Sequence, residues 1–152
     1  MNLPNAEDMP YWKTSQSGAE RWMERCAEQI TRAGGHTAVR AVGQDRETGW
    51  AALLLRFSLD GQAFKMVWPV LEARSGNERA ARVQAATMLY HDVKARCLSA
   101  QVLGARTAFF AFLELPDGRT AQQVGDEDVA EAARAMFGGE PERALLRSGE
   151  GS

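Results

Sequence analysis

The chain predicts an α+β domain: one helix, a three-stranded antiparallel meander, a long covering helix and then short C-terminal helices. Three observations carry that expectation. Two alternating apolar segments flank Asp60-Gly61, a broad apolar stripe recurs at helical spacing from Asn77 to Gln101, and a shorter helical pattern lies between Ser17 and Gly34-Gly35. At 152 residues the chain is long enough for one compact domain with a core of its own. The expected partition is an extended N-terminal lead over 1–17, a single domain over 18–137 and a disordered polar tail over 138–152.

Pro4, Pro10 and the hydroxyl-rich run Thr14-Ser15-Gln16-Ser17 suit an extended lead. Ser17 is placed to cap a helix whose third position is Glu20, as in a capping box. Trp22, Cys26, Ala27 and Ile30 share its core face, and Gly34-Gly35 ends it. Thr37 to Val42 is expected as the first strand and Asp45 to Gly49 as the turn that follows.

Strands two and three, Trp50 to Leu59 and Gln62 to Val70, carry the strongest local signal, because Asp-Gly favours a two-residue turn with both φ angles positive. Their register follows. Leu59 stands opposite Gln62, Phe57 opposite Phe64, Leu55 opposite Met66 and Leu53 opposite Trp68 on the side to be buried. Leu54 with Val67, Arg56 with Lys65 and Ser58 with Ala63 take the open side.

On the long helix, Val83, Ala86, Leu89, Tyr90, Val93, Cys97 and Ala100 form one stripe, with Gln84, His91, Asp92, Ala95 and Ser99 pointing outward. Arg79 and Arg82 fall in its first two turns, where a cation opposes the helix dipole by about 0.3–1 kcal/mol. Exposure, a carboxylate such as Glu78 or a bound anion must offset that cost. Residues 107–115 fit a short helix capped by Thr107 or a fourth buried strand; helix is the assignment adopted. Leu115 to Thr120 is a turn. A last helix opens at Asp126-Glu127-Asp128, with Val129, Ala132, Ala133, Met136 and Phe137 as its apolar face and Gly138-Gly139 as its stop.

Composition is ordinary, 45% apolar and 25% charged, and no apolar run approaches the roughly 18 residues of a membrane span. The first ten residues lack the basic start and apolar stretch of a secretory signal. Cys26 and Cys97 both fall in predicted helices, which suggests free thiols and a cytoplasmic setting. Charge is uneven: residues 36–106 hold ten Lys/Arg against six Asp/Glu, and residues 107–152 hold four against nine. A basic centre with an acidic end suits a polyanion binder, and equally a solvated protein surface.

The residue inventory disfavours several chemistries. His36, His91, Cys26 and Cys97 are scattered singly, so neither a metal site nor a cofactor is expected. His91 and Asp92 point away from Cys97, which disperses any nucleophile, base and orienting acid. No glycine-rich loop leads from a strand into a helix to cradle phosphate. A metal-dependent nuclease core would present an acid and then an acid-x-lysine triplet on strands two and three. Here those positions read Asp60 and Gln62-Ala63-Phe64-Lys65, without the second carboxylate that holds a magnesium ion.

Tyr11 with Lys13-Thr14, Leu59-Asp60-Gly61-Gln62, Trp68-Pro69, Val93-Lys94-Ala95-Arg96 and Leu115-Pro116-Asp117-Gly118-Arg119-Thr120 occur in an order that resembles a family of small phage and mobile-element proteins of unassigned function. The resemblance spans residues 11–124 and implies a genomic setting. The family tends to carry acidic residues after the position of Thr107, where this chain has Phe109 and Phe110. The order of elements also resembles double-stranded-RNA-binding modules and the core of phage strand-annealing proteins, at the level of fold alone.

The function expected from these features is a non-catalytic accessory protein that binds nucleic acid, DNA or RNA, through a basic sheet face. Like charges opposite one another destabilise a sheet, and Arg56 faces Lys65 with Arg40 expected on the same side of strand one; a phosphate backbone would relieve that repulsion. The candidate contact set is Arg40, Arg56, Lys65, Arg74, Arg79 and Arg82, with Trp12 and Trp50 as candidate stacking platforms. A carboxylate such as Asp45 or Glu47 would serve the same purpose within the fold. The alternative is a protein-interaction or homo-oligomeric module that docks through Leu54, Val67 and the acidic last helix, and the third option is a degenerate nuclease-like fold.

Overall fold

A computed structural model describes residues 2–46 and 48–137; the tail expected over 138–152 lies outside the described residues. The elements are α1 (Ala19–Arg32), β1 (His36–Gln44), β2 (Ala51–Leu59), β3 (Gln62–Pro69), α2 (Glu78–Leu103), α3 (Ala105–Ala108) and α4 (Ala121–Phe137), with 3-10 turns at Ala6–Asp8 and Phe110–Phe112. This is the α+β order expected from the sequence, with the sheet ordered β1-β2-β3 and antiparallel throughout.

Asp60 and Gly61 take φ values of 51° and 73°, the pair of left-handed residues that matches the twist of a two-residue hairpin. The β2–β3 register is the one anticipated, from Leu59 opposite Gln62 through Phe57–Phe64 and Leu55–Met66 to Leu53–Trp68. Leu53, Leu55, Phe57, Leu59, Phe64 and Met66 are thereby buried against Met23, Cys26 and Ile30 of α1 and Leu89, Val93 and Cys97 of α2. Full burial of each large apolar side chain contributes about 1.5–3 kcal/mol. Trp22 lies 5.2 Å from Tyr90, and farther along both helices Cys26 comes within electrostatic reach of Cys97, so α1 and α2 run side by side in the same direction.

Several local expectations are corrected. The cap of α1 is Gly18, with no side chain accepting from the first turn. The Ser15 hydroxyl accepts from the Trp22 indole N–H at 2.8 Å and from Ser17 N–H at 3.1 Å, which sets the entry of the chain so that Ser17 precedes the cap. Residues 107–115 divide between the two conformations considered. Helix α3 starts at Ala105, whose N–H donates to the Asp60 carboxylate at 2.9 Å; Phe109 is fully buried 5.0 Å from Phe57 and 5.6 Å from Phe64; and Leu113 bridges to Phe64 as a strand would. Helix α4 begins at Ala121, ahead of Asp126, and Val129 is 69% exposed and not on a core face. The side chains of Ala132, Ala133, Met136 and Phe137, and Gly138-Gly139, lie outside the described residues.

The lead is the largest departure. Gln84, expected to face solvent, is 1% exposed, and its carboxamide donates to the carbonyls of Ala6 (2.7 Å), Met9 (3.2 Å) and Pro10 (3.0 Å). Ala6 packs with Leu71 and Ala81 in a second small core flanked by Leu3 and Trp12. Glu7 accepts the backbone N–H groups of Arg74 and Ser75, each at 2.9 Å, and Asp8 holds the Arg74 guanidinium through two bonds of 2.8 Å. An apolar face and a polar clamp thus fold residues 3–12 onto α2, where an extended strand of chain was expected.

The backbone N–H of Ser75, together with that of Arg74, holds the Glu7 carboxyl down at about 2, well below its ordinary 4.5. A depressed carboxyl stabilises the fold above its ordinary value and loses that contribution as pH falls toward the depressed one. The clamp is therefore expected to release between about pH 4.5 and 2, read as loss of exchange protection at the Arg74 and Ser75 amides; Glu7→Gln should abolish that pH dependence. Separately, a Cβ at Gly35 would collide with the Ser58 carbonyl and come 2.9 Å from Ile30, whereas one at Gly43 meets nothing within 4 Å. Gly35→Ala should destabilise by about 1–3 kcal/mol, and Gly43→Ala by less than about 0.5 kcal/mol, as read from urea unfolding.

Candidate interaction surface

Pairing places Val39 and Ala41 of β1, Leu54, Arg56 and Ser58 of β2, and Ala63, Lys65 and Val67 of β3 on the side of the sheet away from α1 and α2. Val67 is 42% exposed, Ala41 and Ala63 are exposed, and Val39 and Leu54 are half-buried. The middle of this face is apolar. Ala52, also on this side, is buried.

The end near the hairpin is charged, and Arg56 stands directly opposite Lys65 as expected. The pair does not stand alone. Arg56 donates to Glu114 at 2.8 Å, and the Lys65 ammonium donates to the Gly118 carbonyl at 3.4 Å. Glu114 reaches this position because its N–H donates to the Ala63 carbonyl at 2.8 Å and because it bridges to Thr120 across the Leu115 to Arg119 turn. The acid that offsets the repulsion, Glu114, is 58 residues distant in sequence from Arg56, and the alternative considered at Glu47 lies outside the described residues. One sequence signal bears on it: the tight turn expected over Leu115 to Thr120, directly after Glu114.

The remaining expected cations do not join this pair. Thr37 pairs with Phe57 and Val39 with Arg56, so Ala38 is an extra, bulged residue. That bulge puts Arg40 opposite Leu55, on the helix side of the sheet and away from Arg56. Arg74 is bound by Asp8 in the β3–α2 connection. Arg82 lies 4.0 Å from Glu78 and lines a cavity of about 730 Å3 with Trp50. Arg79 lines a separate, smaller cleft with Lys13. Of the two candidate stacking residues, Trp12 packs into the small core and Trp50 is 42% exposed.

Burial pushes the Cys26 thiol up to about 12 and Cys97 up to about 11, so both are protonated and unreactive at neutral pH; neither forms a disulfide. His91 is exposed and stacks on Tyr11 at 4.9 Å. The Asp60 carboxylate is occupied by α3. Among the described residues no group of three or more His, Cys, Asp and Glu is arranged to hold a metal ion, and no helix is long and apolar enough to cross a membrane. Comparisons of the chain with protein-family models, with curated proteins and with solved structures find no match.

Arg56 and Glu114 are part-exposed, with 44% and 13% of their side chains accessible, so their coupling should be small. A double-mutant cycle of Arg56→Ala and Glu114→Ala is expected to return about 0.5–1 kcal/mol at low salt. The coupling should shrink as ionic strength rises. A value indistinguishable from zero at low salt would mean that Glu114 does not relieve the Arg56–Lys65 repulsion.

Proposed function

We propose that the chain is a protein-interaction module that self-associates through the open face of its sheet. The observation that carries this reading is the apolar centre formed by Val39, Ala41, Leu54 and Val67, which no layer of the described fold covers and which carries its charged residues at one end. A sheet normally buries its apolar faces against a second layer, and a two-fold pairing of identical surfaces is the commonest way for a small soluble domain to do so. The outer edge of β1 pairs with no strand among the described residues, which leaves the rim of this surface available to widen the contact.

Binding of nucleic acid through the sheet, the function first expected, required Arg56 and Lys65 to stand without an acidic neighbour. Glu114 at 2.8 Å withdraws that support, and the bulge in β1 removes Arg40 from the cluster. A phage or mobile-element setting rests on the resemblance of residues 11–124 and is compatible with an accessory module that works by docking.

Size bounds the expected affinity. Strands of eight residues at about 3.3 Å each and three strands at about 4.8 Å spacing give a footprint of roughly 26 by 14 Å, near 400 Å2. That is about half of the roughly 800 Å2 per partner of a standard interface. Association should therefore be weak, in the high micromolar range. Light scattering across about 10 µM to 1 mM protein should show the mass rising from that of one chain toward that of two. Val67→Asp should hold the chain monomeric with its unfolding midpoint unchanged, since Val67 is already 42% exposed. A wild-type chain that stays monomeric throughout, or a Val67→Asp chain that associates equally well, overturns the proposal.

A further inference from the structure

We propose that the lead, residues 3–13, is a strap that opens as one unit while the sheet and the two long helices stay folded, uncovering half of a stripe on α2. Gln84, Met88, His91, Ala95, Leu98 and Val102 recur at alternating spacings of four and three, which sets them along one side of the helix. Leu89, Val93 and Cys97 take the other side, in the main core. The two halves of the stripe differ. The lead lies over the first half, where the Gln84 carboxamide donates to the Ala6, Met9 and Pro10 carbonyls and Tyr11 stacks on His91 at 4.9 Å. The second half is bare, with Leu98 67% and Val102 79% exposed.

The lead is held by the weaker kinds of contact. Ala6 is its one fully buried side chain among the described residues, whereas the main core buries Ile30, Leu53, Leu55, Phe64, Leu89 and Phe109 completely. Hydrophobic stabilisation follows the apolar area removed from water, so detaching the lead forfeits far less of it than unfolding the core. The Asp8–Arg74 pair leaves more than half of each side chain accessible, and pairs so exposed contribute little. Two further features oppose closure. Tyr11 and Lys13 take φ values of 68° and 54°, a left-handed backbone that is unfavourable for residues with a Cβ, and the buried Gln84 Oε1 has no partner until opening admits water. Segments with little buried apolar surface and solvent-exposed hydrogen bonds are those that open without global unfolding.

The strap lies against α2, across the sheet from the open face, so the inference stands or falls separately from self-association. Native-state hydrogen exchange on the full chain at neutral pH tests it. Four reporters follow the strap: the Ala6 N–H, which donates to the Glu72 carbonyl at 2.8 Å, the Arg74 and Ser75 N–H groups held by Glu7, and the Gln84 carboxamide. All four should share one opening equilibrium, at least about a hundredfold more open than that of the Leu55 amide in the central strand. Its dependence on urea should be shallower than that of Leu55. Asp8→Asn should raise the exchange of all four by one common factor of about two to five. Lys13→Gly, which removes backbone strain, should lower all four together. Reporters as protected as Leu55 would mean that the lead leaves only when the whole domain unfolds. A response to Asp8→Asn confined to Arg74 and Ser75 would mean that the lead frays bond by bond. Either result overturns the proposal.

Discussion

The two residues at the tip of the central hairpin organise most of the molecule. With Asp60 and Gly61 both in left-handed conformation, β2 and β3 have one available register, and a slip of one residue would exchange their faces. The same aspartate caps α3 through its carboxylate, which fixes the start of the segment that packs Phe109 against the stacked Phe57 and Phe64 rings and carries Leu113 to Phe64. Glu114 follows at once and meets Arg56. A local turn preference thereby propagates into the core, the sheet edge and the charge balance of the open face.

That sequence of contacts explains why two cations can share a sheet face without an external ligand. Opposed like charges cost some tenths of a kcal/mol, and a part-exposed ion pair returns up to about 1 kcal/mol. The two terms are of the same size, so an internal acid suffices. What remains on the open face is chiefly apolar surface. Its small area suits association that is weak and concentration-dependent.

The lead is likewise fixed by contacts made far along the chain. Gln84 holds three carbonyls of the lead while its own Oε1 has no partner, and Glu7 and Asp8 tie the same segment to the β3–α2 connection. The lead is thus a structural component of the fold, packed through Ala6, Leu3 and Trp12.

The elements legible from the sequence were those with local causes. Asp-Gly dictates its turn because few other residues tolerate two positive φ angles. Alternation then assigned the β2–β3 pairs from Leu59–Gln62 to Leu53–Trp68, and helical spacing located α1 and α2. The order and class of the fold followed. What the sequence left open depended on partners distant along the chain. Arg56 and Glu114 are 58 residues apart, and Gln84 and Ala6 78 apart. One bulged residue at Ala38 moved Arg40 to the other side of the sheet. Backbone preferences act within a few residues, so they specify segments and their faces; whether a charge is neutralised or a polar side chain buried is decided by which segments meet, and that exists only once the chain has folded.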